Sequence, residues 1–461
     1  MLRLTPLARR LMLALTLVFA AAQSASASAQ SILRDSETEK LFAEISRPLI
    51  IAAKLDPKNV KVVLINDPEI NAFVATGQTV YIHSGLLTAS DNANQVQGVI
   101  AHELGHVAGG HSIGAGQGMK KATAIQILSL VLGGLAMAAG AGEAAMGVLA
   151  AGQQAAQGSY LSFTRSQEQT ADAAGASYLS AAGISGQGSL EFFKKLQSQE
   201  YRLAVYATDS YDRTHPLSSE RIATLQTIYE HDPAWKRRTD PAIEARFQRV
   251  RAKLIGYISE PQKVLDVYPV SDTSVPARYA RAFAYHRLGY RDKAVAESDA
   301  LLATAPADPF FLELKGQVLL ESGKPVEAVA PLRLAVKNAP DQPMIAAMLG
   351  HALIATEKPA NFPEAESVLK AAVNRDNDNP FAWYQLGIVY EAKGDIARAA
   401  LASAERFNLE DSPRMALSSA ETALRGIPTG TPDYLRAQDI AMVSRTQLKD
   451  KKYRNKDRDR E

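Results

Sequence analysis

Through the second half of the chain, small residues return every 34 positions. Ala282, Gly316 and Gly350 are 34 apart, and Gly387 follows after 37. Gly289 and Gly323 repeat the interval, with Gly394 in the matching turn. Ala294, Ala328, Ala365 and Ala399 form a third column, and Pro306 and Pro340 close the first two units. Self-similarity at such an interval restricts a chain to a quasi-linear stack in which each unit touches only its neighbours. Small residues at fixed columns let paired helices approach closely. An ordinary helical bundle has no reason to keep that spacing through four units.

A period of 34 with these columns is the tetratricopeptide signature. It predicts stacked helix pairs with a concave binding surface. The three extra residues fall near Ala360-Asn361-Phe362, between the helices of the third unit. Helices before Ser271 and after Glu410 are expected to be degenerate or capping units. Trp383, Tyr384 and Tyr390 read as repeat core rather than groove lining. Upstream, Asp240-Pro241 starts an amphipathic helix, with the aspartate as N-cap and the proline in the first turn. Residues 256 to 275, holding Pro261 and Pro269, serve as a junction.

The first half carries His102-Glu103-Leu104-Gly105-His106, an HExxH motif within an apolar run. On a helix the two histidines lie one turn apart on one face, so both imidazoles can reach one zinc ion. Glu103 projects beside them and can take a proton from water. Val96, Val99, Ile100 and Leu104 predict a buried helix, where such groups are costly without a metal. Asp91, Asn92 or Asn94 can cap its start, and Gly109-Gly110 would end it.

A catalytic zinc needs a third protein ligand. His111 comes five residues after His106, one short of the metzincin spacing. His83 ends a strand. His83 reads more simply as a structural histidine, and His111 as one near the cleft or on the surface. Ser159 to Ala182 reads as a helix holding Arg165, Glu168 and Asp172. Glu168 and Asp172 share a face, and Arg165 lies one turn before Glu168. Glu168 can be the third ligand, and Asp172 can fix a ligating histidine. The alternative is a solvated face of helix ion pairs. Ala171, Ala173, Ala174, Gly175 and Ala176 favour close packing on another helix.

Residues 30 to 56 read as helical, Val60 to Ile65 as a strand, and Thr79 to His83 as a second strand. A strand just before the zinc helix can pair with an extended peptide and lay its backbone across the metal. Ala122 to Gly142 is 21 residues without a charge, but ten of them are Ala or Gly. That composition lowers the tendency to insert into a bilayer. A helical hairpin that covers the cleft or touches the membrane surface is expected.

Residues 1 to 29 have the pattern of a cleavable signal peptide: Arg3, Arg9 and Arg10, an apolar run from Leu11 to Ala22, then Ala-Ser-Ala sites. The chain has no cysteine, hence neither disulfides nor a lipoprotein anchor at the cleavage site. These features point to the periplasm, with membrane association as a further expectation. A net charge of +2 argues against a nucleic-acid binder. Lys449 to Glu461, with seven basic and four acidic residues, is expected to be disordered.

HExxH followed by Arg165-x-x-Glu168-x-x-Ala-Asp172, and preceded by Asn71-Ala-Phe and Gly77-x-x-Val-Tyr, resembles the gluzincin family of the heat-shock membrane protease HtpX and the prenyl-protein endopeptidases. With the leader and the repeats, the chain is most similar to that family's periplasmic β-barrel assembly-enhancing members. The resemblance implies one zinc per chain bound by His102, His106 and Glu168, with Glu103 catalytic. It also implies that His215, in Thr214-His215-Pro216, faces the zinc as a fourth ligand or, when withdrawn, stabilises the oxyanion. It implies misfolded or stalled outer-membrane proteins as substrates and the outer-membrane assembly machinery as partner.

The expected fold is mainly α (α+β). A small-sheet zinc-protease domain spans 30–235, a helical junction 236–275 and a tetratricopeptide solenoid 276–440, with the charged tail at 449–461. The rival readings are a repeat-based chaperone or scaffold with a latent protease, and a membrane-embedded zinc protease.

Overall fold

Four short strands form: β1 (Ser31–Leu33), inside the stretch 30–56 read above as helical, β2 (Lys61–Asn66), β3 (Ala72–Val74) and β4 (Thr79–His83). They belong to a computed structural model that describes residues 31–75, 77–138, 142–203, 215 and 218–458. The leader-like segment, Thr214 and Pro216 lie outside those residues. The sheet order is β1-β2-β4-β3; β2 runs parallel to β4, and β3 antiparallel to it. Both edges of β4 are therefore occupied, and the peptide-pairing role expected of Thr79–His83 cannot be its own. The chain reverses at Gly77, whose φ of 86° suits a tight turn, and β3 lands outside β4. Among the described residues, the outer edge of the sheet belongs to Ala72–Val74.

Helix α1 (Ser36–Ala52) begins at Asp35, whose side chain accepts from the Thr38 amide, and buries Leu41, Phe42, Ile45 and Leu49. The short α2 (Ser84–Ala89) leads to α3 (Ala93–Ala108), capped by Asn92 through the Gln95 amide. Helix α3 stops at Gly109, and Gly110 takes a φ of 63°. The apolar insert makes a helical hairpin of α4 (His111–Ala138) and α5 (Gly142–Ala182), as expected. No helix among the described residues is long and apolar enough to cross a membrane. Helices α6 (Gln187–Leu203), α7 (Ser219–Glu230), α8 (Pro241–Ile258) and α9 (Pro261–Val267) follow, and Asp240 caps α8 by accepting from the Ala242 amide. Val80, Ile82, Val96, Ile100, Leu104, Phe192 and Phe193 share one core with α1.

The small residues of α3 and α5 let their backbones touch. A Cβ added at Gly105 would stand 2.6 Å from the Ala171 carbonyl oxygen, and one at Gly175 3.0 Å from the His102 amide nitrogen. This is the packing that the Ala/Gly run around Asp172 predicts, and it sets HExxH directly against the helix carrying Glu168.

The repeats are helix pairs: α10 (Val275–Arg287) with α11 (Arg291–Thr304), α12 (Pro309–Glu321) with α13 (Pro325–Asn338), and α14 (Pro343–Ala355) with α15 (Phe362–Arg375). Then come α16 (Pro380–Ala392) with α17 (Ile396–Leu409), and α18 (Pro413–Gly426) with α19 (Pro432–Arg458). Gly316 faces Leu332 and Gly350 faces Leu369, each leaving less than 3 Å for a Cβ, which is why that column stays small. The added residues of the third unit make a 3₁₀ turn at Pro359–Asn361. Trp383 and Tyr390 are buried core, whereas Tyr384 is half exposed beneath Arg406. Helix α19 runs to Arg458, into the charged tail for which no regular structure was expected. Its mixed charges at helical spacing are compatible with helix.

An ionic joint ties the two halves. Glu37 of α1 accepts from Arg249 of α8 and, at 2.7 Å, from the Tyr279 hydroxyl of α10. Arg249 also reaches Asp308, 2.7 Å away at the start of α12. Lys253 of α8 pairs with Asp35, and Arg34 with Asp376 at 2.9 Å.

Candidate metal centre

Helix α3 presents His102 and His106, α5 presents Glu168, and His215 enters from the segment before α7. Their donor atoms converge in one buried cluster. His102 Nε2 lies 3.2 Å from His106 Nε2 and 3.4 Å from His215 Nδ1. Glu168 oxygens stand 3.3 Å from each of the first two nitrogens and 3.2 Å from His215 Nδ1. Four ligands held about 2.05 Å from a zinc ion at tetrahedral angles are about 3.3 Å apart. These five separations therefore fit a four-coordinate zinc, and the His₃Glu donor set suits its chemistry.

Glu103 is fully buried beside this cluster, and neither carboxylate oxygen has a hydrogen-bond partner among the described residues. Its nearer oxygen is 3.5 Å from His215 Nε2. An orphaned buried carboxylate is costly, so the site is built around something this group is to meet. His215 Nε2 is also 3.2 Å from the Ala72 carbonyl on the outer sheet edge. The cluster and the strand that would hold a peptide are thus one ring apart.

The surrounding charges favour a cation. Burial alone would lower the His102 pKa, but Asp172 and Glu168 more than offset it and raise it to about 10. Burial would raise Glu168, yet hydrogen bonds from His102, His106 and His215 hold it far below the carboxylate range. Asp172 Oδ1 stands 3.0 Å from His102 Nδ1, the ring nitrogen turned away from the cluster. That contact leaves Nε2 as the free donor.

The sequence profile of peptidase family M48 matches residues 35–229. Metalloprotease YcaL of Escherichia coli (strain K12) is 32% identical over 197 residues, covering 42% of this chain and 70% of that protein. The chain belongs to peptidase family M48. The β-barrel assembly-enhancing protease of the same strain is 26% identical over 376 residues, 80% of this chain and 75% of the relative. Its counterpart in Yersinia pestis is 26% identical over 314 residues, but this chain spans only 61% of that protein's length. Among solved structures, the tetratricopeptide protein YrrB aligns with 39% of this chain and 92% of its own, at 20% identity and a TM-score of 0.31.

In this M48 metalloprotease the guanidinium near the site is not the one the sequence suggested. Arg165 is exposed, because α5 has left the core one turn before Glu168. Arg221 of α7 takes that position. Its Nε donates to Asp172 at 2.7 Å, and a second nitrogen reaches both Asp172, at 2.9 Å, and Glu168, at 3.1 Å. Only its place six residues after His215 could have drawn attention to it. His111 is outside the cluster, as expected. Its Nδ1 lies 2.9 Å from His106 Nδ1, behind the candidate ligand. His83 is buried at the end of β4, beside Asp67 and outside the four-residue cluster.

Proposed function

We propose that the chain is a zinc endopeptidase in which His102, His106 and Glu168 hold the metal. When bound, zinc supplies polarisation of the scissile carbonyl and acidifies the attacking water. Glu103 takes the proton from that water and returns it to the leaving amine. An extended substrate adds to the outer edge of Ala72–Val74, its main chain antiparallel to the strand. With the metal bound, His215 would be a fourth ligand and would have to swing away for a carbonyl to enter; once withdrawn it would donate to the developing oxyanion. Asp172 positions His102, and Arg221 neutralises Asp172. The near-tetrahedral separations among four donors, with orphaned Glu103 alongside, carry this reading.

The names of the E. coli and Y. pestis relatives and the leader pattern support a periplasmic role on misfolded or stalled outer-membrane proteins. The repeats would recruit substrate or assembly machinery through their concave face. Exposed Ile127, Leu128, Leu130 and Val131 of the hairpin support peripheral contact with lipid. The deciding experiment is cleavage of an unfolded outer-membrane β-barrel protein by the purified chain. Wild type should cleave it, and Glu103→Gln should lose roughly 10²–10⁴-fold in rate while keeping its zinc. A chain that cleaves equally well with Glu103→Gln is not using this site.

A second reading has one observation behind it. His215 lies with His102, His106 and Glu168 in one cluster, so a zinc held by all four would have no open position, as in structural zinc centres. A repeat-based chaperone with a latent peptidase would rest in this state. Full complementation by Glu103→Gln would favour that role.

A further inference from the structure

We propose that Asp67, Glu69 and His83 form a second divalent-cation site, of the kind that takes zinc. A carboxylate oxygen from each acid and a ring nitrogen of His83 lie within 4.8 Å of one another. His83 is 2% exposed, and neither of its ring nitrogens has a hydrogen-bond partner among the described residues. Burying an imidazole with both nitrogens unsatisfied is unfavourable. Asp67 Oδ1 stands 3.6 Å from Nδ1. That is too far for a hydrogen bond. It does match two ligands about 2.1 Å from a common ion at an angle of about 120°. Two carboxylates with one imidazole suit zinc and similar borderline ions better than calcium, which takes oxygen ligands.

The site sits at a useful point in the sheet. Asp67 and Glu69 open the loop from β2 to β3, and His83 ends β4. The loop is locked onto the first turn of α2: Ser84 Oγ donates to the Asp67 carbonyl at 2.7 Å, and the Gly85 amide to the same oxygen at 2.9 Å. A Cβ at Gly85 would stand 2.1 Å from the Pro68 carbonyl oxygen, so that surface cannot retreat. The His83 amide donates to the Asn71 carbonyl at 3.0 Å, and the His83 ring meets Phe73 of β3 edge-on at 5.8 Å. An ion here ties the entry of β3 to the end of β4 and fixes the strand whose Ala72 carbonyl faces His215. The ion-binding claim is independent of the peptidase reading; the effect on substrate rests on it.

The test is metal stoichiometry on the full chain, saturated with zinc, dialysed and measured by atomic emission, with folding checked by circular dichroism. Wild type should carry two zinc ions per chain. His83→Ala should carry one, and Glu168→Ala should carry one. His83→Ala with Glu168→Ala should carry none. If His83→Ala does not fold, Asp67→Asn with Glu69→Gln replaces it with the same expectation. Wild type with a single ion, or two ions retained in the His83→Ala chain, overturns the proposal. Loss of metal confined to Glu168→Ala would leave the peptidase centre standing and remove only this second site.

Discussion

Replacing Gly105 by alanine should disable the metal centre without touching any ligand. The added Cβ would stand 2.6 Å from the Ala171 carbonyl oxygen and 2.8 Å from its Cα, whereas ordinary contact begins at 3.4 Å. Both neighbours are backbone, so no side chain can turn away, and α3 must part from α5 by about 0.8 Å at that point. The donors on the two helices are now 3.3 Å apart. The same displacement would stretch those spans to about 4 Å, when coordination tolerates only about 0.2 Å per bond. Overpacking of this sort costs about 1–3 kcal/mol in stability. A misplacement near 1 Å at a reacting centre costs about 10²-fold in rate. Zinc affinity by chelator competition, melting temperature and peptide cleavage should all fall together. Gly147→Ala is the control, since a Cβ there meets nothing within 4 Å. If Gly105→Ala keeps wild-type zinc affinity and cleavage, the tight helix contact is not what sets the donor spacing.

Asp172→Asn weakens the hold on His102, so zinc affinity should drop about 10–100-fold with little loss of fold, read by the same chelator competition. Arg221→Ala strands the buried Asp172 carboxylate and should cost about 3–5 kcal/mol in denaturant unfolding. At the joint between the halves, burial, with Asp35 and Glu37 nearby and despite Lys253, raises Glu313 from 4.5 to about 8. The folded chain then keeps a proton that the unfolded chain releases, so stability falls as pH rises between those values. Glu313→Gln cannot release one, so its melting temperature should gain on wild type across that window; a constant difference would exclude the linkage.

The metal centre was legible where its residues follow helical spacing. His102 and His106 are one turn apart, Glu168 and Asp172 likewise, and the small residues between them betray the helix contact. Arg221 was not legible, because nothing local to α7 distinguishes a buried arginine from a solvated one. The outer position of Ala72–Val74 was not legible, because strand order depends on a reversal at Gly77, whereas the pattern of Thr79 to His83 reports only burial. The repeats were readable from their period, since the small residues at Gly316 and Gly350 answer to the same contact with a leucine of the paired helix. The tail's composition could not decide between solvated chain and solvated helix.

The ionic joint has a consequence for how the two halves may be handled. Arg249 grips the first helix of the catalytic half and the second repeat at once, so the solenoid is part of the enzyme's footing. A fragment ending before Val275 would leave Glu37, Lys253 and Arg249 facing water on a surface shaped for protein. Excising the repeats to isolate a minimal peptidase would therefore unsettle the helix on which its sheet rests.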